Sequence, residues 1–261
     1  MYNSSLKEKE KDDPPGIPWY ESSIDRKEKF SSFEGSTSST VTIIGGGLTG
    51  LGAAYNLAAS GVDVVLLEAG HLAGAASSRN GGQLGTGQRC WPEDLEKIYG
   101  FERSQHLFTI MQEAKQYLLS VAEKENFSID YRKGQISTVH SKRLLGAYRQ
   151  HVEALDKYGY REARFIEREE LAARLGSQRY YGGVYDAGTG HINPLKAALG
   201  LAEAATKKGA RIFEKSLVVA LEKQQGGYKV KTQAGEILSQ HVLLATNAKD
   251  FTLAPEIGRY I

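Results

Sequence analysis

Apolar positions are sparse in the first forty residues and then arrive in runs of distinct period. Val41 to Ile44 is a short apolar run that predicts a strand. Leu48 to Ser60, rich in Ala and Leu, predicts a helix, and the Val/Leu run Val62 to Leu67 predicts a second strand, so the three form a compact βαβ unit. The stretch Gly74 to Gly87 is loop-like and glycine-rich. From Pro92 to Lys124 the apolar residues Leu95, Ile98, Phe101, Leu107, Ile110, Ala114, Leu118 and Val121 keep helical spacing, with an interruption near Gly100. Strands are expected around Gly134 within Ile129 to His140, helices over Leu144 to Lys157 and Glu167 to Leu175, and a strand over Tyr181 to Tyr185. Pro194 to Lys208, with proline at its start and Gly209 at its end, predicts a further helix. Strands at Ile212 to Leu221, Tyr228 to Thr232 and His241 to Ala245 complete the pattern. The fold class this implies is α/β, with a Rossmann-like βαβ domain beside a mixed α/β region.

Composition narrows the function without naming it. A net charge of +2 from 33 basic and 31 acidic residues carries no nucleic-acid footprint, which leaves a small molecule as the expected ligand. Cys90 is the only cysteine, so no intramolecular disulfide can form, and no Cys/His spacing fits a structural zinc site. No run approaches the ~20 apolar residues of a membrane span, and Met1 to Asp13 lacks the apolar core of a signal peptide. A cytoplasmic protein is expected. Residues 1–39, rich in Lys, Glu, Ser and Pro, predict an irregular arm that only Trp19 and Tyr20 could dock.

The densest chemical signal lies between the first strand and the first helix. Gly45, Gly47 and Gly50 form G-x-G-x-x-G in the setting where that pattern has meaning: tight turn, close approach of backbone N–H to a pyrophosphate, and close packing of helix on strand. The helix N-terminus adds unpaired N–H donors and about half a positive charge. Glu68, 18 residues beyond Gly50 at the end of the second strand, stands where a carboxylate accepts hydrogen bonds from ribose hydroxyls and repels a 2′-phosphate. The motif alone suits FAD or NAD. What favours FAD is the loop and helical excursion that follow the second strand, where an NAD domain would continue its doubly wound pattern directly.

The segments VTIIGGGLTGLGAAYNLAASGVDVVLLEA, GAASSRNGGQL, GHINPLKAALGLAEAATKKGARIFEKSLVVAL and VLLATNA, in that order, resemble the D-amino-acid oxidase superfamily of FAD proteins. The likeness is greatest to γ-glutamylputrescine oxidoreductases and extends to glycine and sarcosine oxidases. It implies an FAD-binding domain formed from residues 40–125 and 186–261, with a partial substrate domain over 126–185. It also implies Gly45, Gly47, Leu48, Thr49 and Gly50 at the diphosphate with Ser77 and Ser78 near the phosphates, and Glu68 at the ribose. Asn80, Gly81, Gly82, Gln83 and Leu84 would run beside the isoalloxazine, Val218 would face the adenine, and Ala245 and Thr246 would close the cleft. Some relatives attach flavin to a histidine after the second strand. Asn80 stands at the matching place here, which implies noncovalent FAD. Relatives continue past the ATNA-like segment whereas this sequence stops at Ile261, so it reads as an N-terminal portion.

The implied reaction is oxidation of a C–N bond of an amine or amino acid by hydride transfer to flavin, with a γ-glutamylputrescine-like substrate favoured by resemblance. Such chemistry demands orientation and water exclusion more than a dedicated acid or base, so no catalytic residue is named. A truncated, catalytically incompetent FAD-binding remnant and an NAD-dependent dehydrogenase are the rival readings. Several residues carry two readings each. His191 and Asn193 suit substrate contact or a helix cap, Tyr180, Tyr181 and Tyr185 an amine pocket or sheet packing, and Arg79 a phosphate or solvent. Cys90 reads as an ordinary semi-buried thiol. Oligomeric state has no signature.

Overall fold

The computed structural model of the chain describes residues 18–26, 30–247 and 253–255. In chain order its elements are α1 (Trp19–Ser22), β1 (Gly35–Ile44), α2 (Leu48–Ala59), β2 (Val64–Leu67), β3 (Gln83–Leu84), α3 (Pro92–Tyr99), α4 (Phe101–Lys124), β4 (Arg132–Thr138), α5 (Leu145–Lys157), β5 (Ala163–Glu167), α6 (Arg168–Leu175), β6 (Gly182–His191), α7 (Pro194–Lys207), β7 (Arg211–Phe213), β8 (Val218–Gln224), β9 (Gly227–Thr232) and β10 (Gly235–Leu244). They fall into two compact units, one of residues 1–80 with 201–261 and one of residues 81–200. The divisions lie at 80/81 and 200/201, where the sequence had suggested 125/126 and 185/186.

The first unit is built on a six-stranded sheet in the order β7-β2-β1-β10-β9-β8. Its first four strands are parallel, and β9 and β8 run antiparallel. Parallel strands are apolar on both faces because both faces are covered, and β2 obeys this with all four residues buried. Leu51, Ala54, Tyr55 and Ala58 form the buried stripe of α2. Phe33, Ile44, Val65, Leu67, Val218, Val230 and Ile237 close a core in this unit.

β1 begins at Gly35, well ahead of the apolar run that predicted it. Ser36 to Thr40 are polar and read as arm, yet their backbone groups pair in parallel with β10 from Gly235 onward. The hydroxyls are satisfied within the sheet, Ser39 Oγ meeting Thr42 Oγ1 at 2.9 Å and Ser239 Oγ at 3.0 Å. The expected arm over 1–39 is therefore corrected at its end, while residues 1–17 lie outside the described residues. Trp19 does not dock, being 79% exposed. Arg26 ties the segment down instead, donating to Leu72 O at 2.8 Å and pairing with Glu214 at 3.3 Å. The expected strand Ile212 to Leu221 is interrupted at Glu214 to Leu217, where Lys215 takes a positive φ of 51° and the Glu214 carboxylate is buried to accept from Leu72 N at 2.6 Å.

In the second unit β6 pairs along one edge with β4 and along the other with β5 and then β3, all antiparallel. The sequence missed β5, whose Glu167 was read as helix, and placed only the first part of β6. Phe108, Leu155, Tyr158 and Tyr160 form one buried cluster, and Ala122, Ile129, Ile192 and Ala197 another.

Candidate functional site

The end of β1 opens into a cleft of about 560 Å³ lined entirely from the first unit, within the usual range of ligand sites. Gly45 leaves the strand with φ +112°, a conformation that side-chain-bearing residues avoid, and its N–H meets Leu67 O at 2.9 Å. A Cβ on Gly50 would lie 1.9 Å from Gly45 O, so α2 can approach the turn this closely only with glycine there. Gly46, between the motif glycines, is less constrained, because its Cβ would meet the end of a movable side chain, Leu72 Cδ2, at 2.5 Å.

Two side chains complete the turn. Glu68 accepts from Gly46 N through Oε2 at 2.7 Å and from Gly70 N through Oε1 at 2.8 Å, so its carboxylate pins the glycine loop to the end of β2. Each oxygen retains lone-pair capacity, since a carboxylate offers about four acceptor sites. Gly47, the N-cap of α2, supplies no side chain. Ser77 fills that role from a 3-10 turn at Ala76–Ser78, its Oγ accepting from Leu48 N at 3.0 Å. Having accepted there, the hydroxyl keeps its hydrogen to donate. Among the described residues Gly47 N–H has no recorded acceptor.

Of the residues singled out by sequence, Gly45, Gly47, Leu48, Thr49, Glu68, Ser77, Val218, Ala245 and Thr246 line this one cleft, with Gly50 buried beneath it. Ser78 does not line it: the residue is buried and its hydroxyl turns to Ala75 O at 3.4 Å. The Asn80 amide donates to Ala76 O at 3.0 Å and Ser77 O at 3.2 Å. Gly81 to Leu84 belong to the second unit, where Gly82 O accepts from Ile192 N and Gln83 and Leu84 pair with His191 and Gly190 of β6. Lining residues that the sequence reading missed include Gly46, Ala75, Ala76, Ser216, Leu217 and Asn247. Gly46 carried a signal as the middle of three glycines, and the others lie within the segments that carry the family resemblance.

Asn193 Oδ1 accepts from Lys196 N at 3.1 Å, a helix cap on α7, while His191 is exposed. Tyr181 and Tyr185 face cations of the chain itself: the Arg174 guanidinium lies 4.9 Å from the Tyr185 ring and Lys142 Nζ lies 5.6 Å from that of Tyr181. Arg79 is exposed and donates to Gly74 O at 3.3 Å. Cys90 is a free, exposed thiol and not the semi-buried one expected. Among the described residues no group of His, Cys, Asp and Glu could hold a metal, and no helix is long and apolar enough to cross a membrane.

The set of donors fits a nucleotide diphosphate. A turn closed to Cβ atoms at Gly45 and Gly50, the Gly47 N–H, which has no acceptor among the described residues, a serine hydroxyl and a carboxylate at the neighbouring strand end meet the requirements of dinucleotide binding. Comparison with known proteins points the same way. The family profile described as "DAO: FAD dependent oxidoreductase" matches residues 40–260. "Probable oxidoreductase OrdL" of Rhizobium meliloti is 42% identical over 248 residues, covering 95% of this chain and 58% of that protein. "Gamma-glutamylputrescine oxidoreductase" of Escherichia coli is 30% identical over 230 residues, covering 88% and 54%. A solved structure of L-amino acid deaminase from Proteus myxofaciens superposes with a TM-score of 0.72 at 25% identity, over 88% of this chain and 51% of that one. The chain thus spans little more than half the length of the relatives it matches.

Proposed function

Because the chain belongs to the DAO family of FAD-dependent oxidoreductases, we propose that the β1 cleft holds the adenosine diphosphate half of FAD and that the protein oxidises a C–N bond of an amine or amino acid. The observation that carries this reading is the convergence of Gly47 N–H, the Ser77 hydroxyl and Glu68 on one cleft whose turn admits only glycine at positions 45 and 50. Gly47 N–H and Ser77 Oγ–H donate to the diphosphate, assisted by the first turn of α2 and its dipole. Glu68 accepts from the ribose, and Val218, Ala245 and Thr246 bound the adenosine.

The roles of Asn80, Gly81, Gly82, Gln83 and Leu84 beside the isoalloxazine rest on the family resemblance alone. Asn80 is an amide that bonds its own loop, which supports noncovalent attachment. Bound flavin supplies the hydride acceptor; the protein orients the substrate carbon and excludes water. The γ-glutamyl amine class is favoured by likeness to the Escherichia coli relative, and a cytoplasmic location by the single unpaired cysteine.

The test is titration of the purified chain with FAD, followed by flavin fluorescence and absorbance, with NAD as competitor. Stoichiometric binding that NAD does not displace, abolished in Gly47→Val, is expected. A protein that stays colourless after reconstitution, or that prefers NAD, overturns the cofactor reading. Anaerobic bleaching of bound flavin by an amine or amino acid tests the reaction.

A further inference from the structure

The second unit contains its own cleft of about 420 Å³, walled partly by Trp91, Phe108, Tyr148 and Leu155. Trp91 is stacked on His151 at 4.4 Å and meets Tyr148 edge-on at 5.3 Å. The opposite side is polar and comes from two adjacent strands: Gln135 and Ser137 of β4 stand directly across from Asp186 and Val184 of β6, and all four line the cleft.

Asp186 is held by one oxygen. Oδ1 accepts from Tyr160 Oη at 2.5 Å and from Gly188 N at 2.9 Å, while Oδ2 has no recorded partner among the described residues. Gln135 is oriented in the same manner. Its Nε2 donates to Gly190 O at 2.7 Å, which fixes the amide and leaves Oε1 as an acceptor. Of the chain's own cations, exposed Arg89 is part of the cleft lining, whereas Lys115 does not fill this space. It is buried behind the network with Gly188 O at 2.6 Å, Gln112 Oε1 at 2.7 Å and Thr86 Oγ1 at 3.4 Å, and it does not line the cleft.

We infer that this cleft binds a primary ammonium group on an alkyl chain. The ammonium donates to Asp186 Oδ2, Gln135 Oε1 and Ser137 Oγ, three acceptors for its three hydrogens, and the chain lies against the aromatic and aliphatic wall. Binding of the ammonium does not require the cofactor. Identifying it as the charged end of the substrate rests on the function proposed above.

The experiment measures binding to the full chain by calorimetry and by amide shifts, using n-butylammonium, n-butanol and butyrate as probes. Selective binding of butylammonium is expected. Asp186→Asn keeps Oδ1 for Tyr160 and Gly188 but presents an NH₂ to the cleft, and should weaken butylammonium by about tenfold or more, the worth of a charge-assisted hydrogen bond. Ser137 is exposed and tolerates a longer side chain. Ser137→Lys places a tethered ammonium beside Asp186 and should abolish probe binding in a protein whose melting is unchanged.

Equal affinity for butanol, preference for butyrate, undiminished binding in both variants, or no binding by any probe each overturn the proposal. Failure here with intact FAD binding and amine-dependent bleaching leaves the oxidase reading standing. Ammonium binding in a chain that ignores FAD does the reverse.

Discussion

The cleft of the first unit takes its shape from main chain. Its turn is Gly45 to Gly50, and its side chains Glu68 and Ser77 are themselves set by bonds from backbone N–H groups. In the second unit the polar wall is backed by a side-chain network, in which Asp186 is held by Tyr160, Tyr160 meets Thr86, and Thr86 meets the buried Lys115. Backbone geometry leaves a readable spacing of glycines. A side-chain network leaves none, because Thr86 and Tyr160 come from two loops, Lys115 from α4 and Asp186 from β6, and their only relation is spatial.

The contrast can be broken at either end. The largest effect is expected at the backbone site. Gly50→Ala drives a methyl to within 1.9 Å of Gly45 O, so it should cost about 3 kcal/mol or more of stability. Chemical denaturation of the variant, followed by FAD titration, checks this, and a fold-neutral Gly50→Ala would show that the turn yields more readily than its geometry implies.

The side-chain site predicts a smaller loss with a pH signature. Tyr160→Phe removes the donor to Asp186 and the partner of Thr86, and should cost about 1–3 kcal/mol. Burial, then the bond to Asp186, holds the Tyr160 phenol far above its ordinary value of 10.0. Its folded form thus retains a proton that the unfolded chain gives up. The stabilisation is complete below pH 10 and declines as pH rises above it, so the wild type should lose stability there more steeply than Tyr160→Phe. Parallel unfolding curves at pH 8 and pH 11 settle the sign. At the weak end, Cys90→Ser alters only an exposed thiol and should leave stability within about 0.5 kcal/mol. A larger shift in a thermal melt would assign Cys90 a packing role.

What the sequence showed followed the same division. The βαβ core, the glycine turn, Glu68 and the capped helix α7 were legible because each depends on local spacing. Ser36 to Thr40 were not, since their strand exists only through a partner some 200 positions away, and hydroxyl pairs such as Ser39 with Ser239 look like loop composition. The break at Glu214 was hidden likewise. A buried glutamate that accepts from Leu72 N and meets Arg26 looks, in isolation, like a surface charge in a strand. Ser77 was anticipated near phosphates by resemblance, but its service as the cap of α2 came from a meeting across 29 residues.

The sheet order has a consequence for how such a chain is made. β1, which carries the glycine turn, is flanked by β2 on one side and by β10 on the other, so as the polypeptide leaves the ribosome one hydrogen-bonding edge of β1 stays open until Gly235 to Leu244 have emerged. Through nearly two hundred residues of translation that edge is a template for pairing with foreign strands. The cleft, whose lining includes Leu244 to Asn247, is complete only once that last strand has emerged.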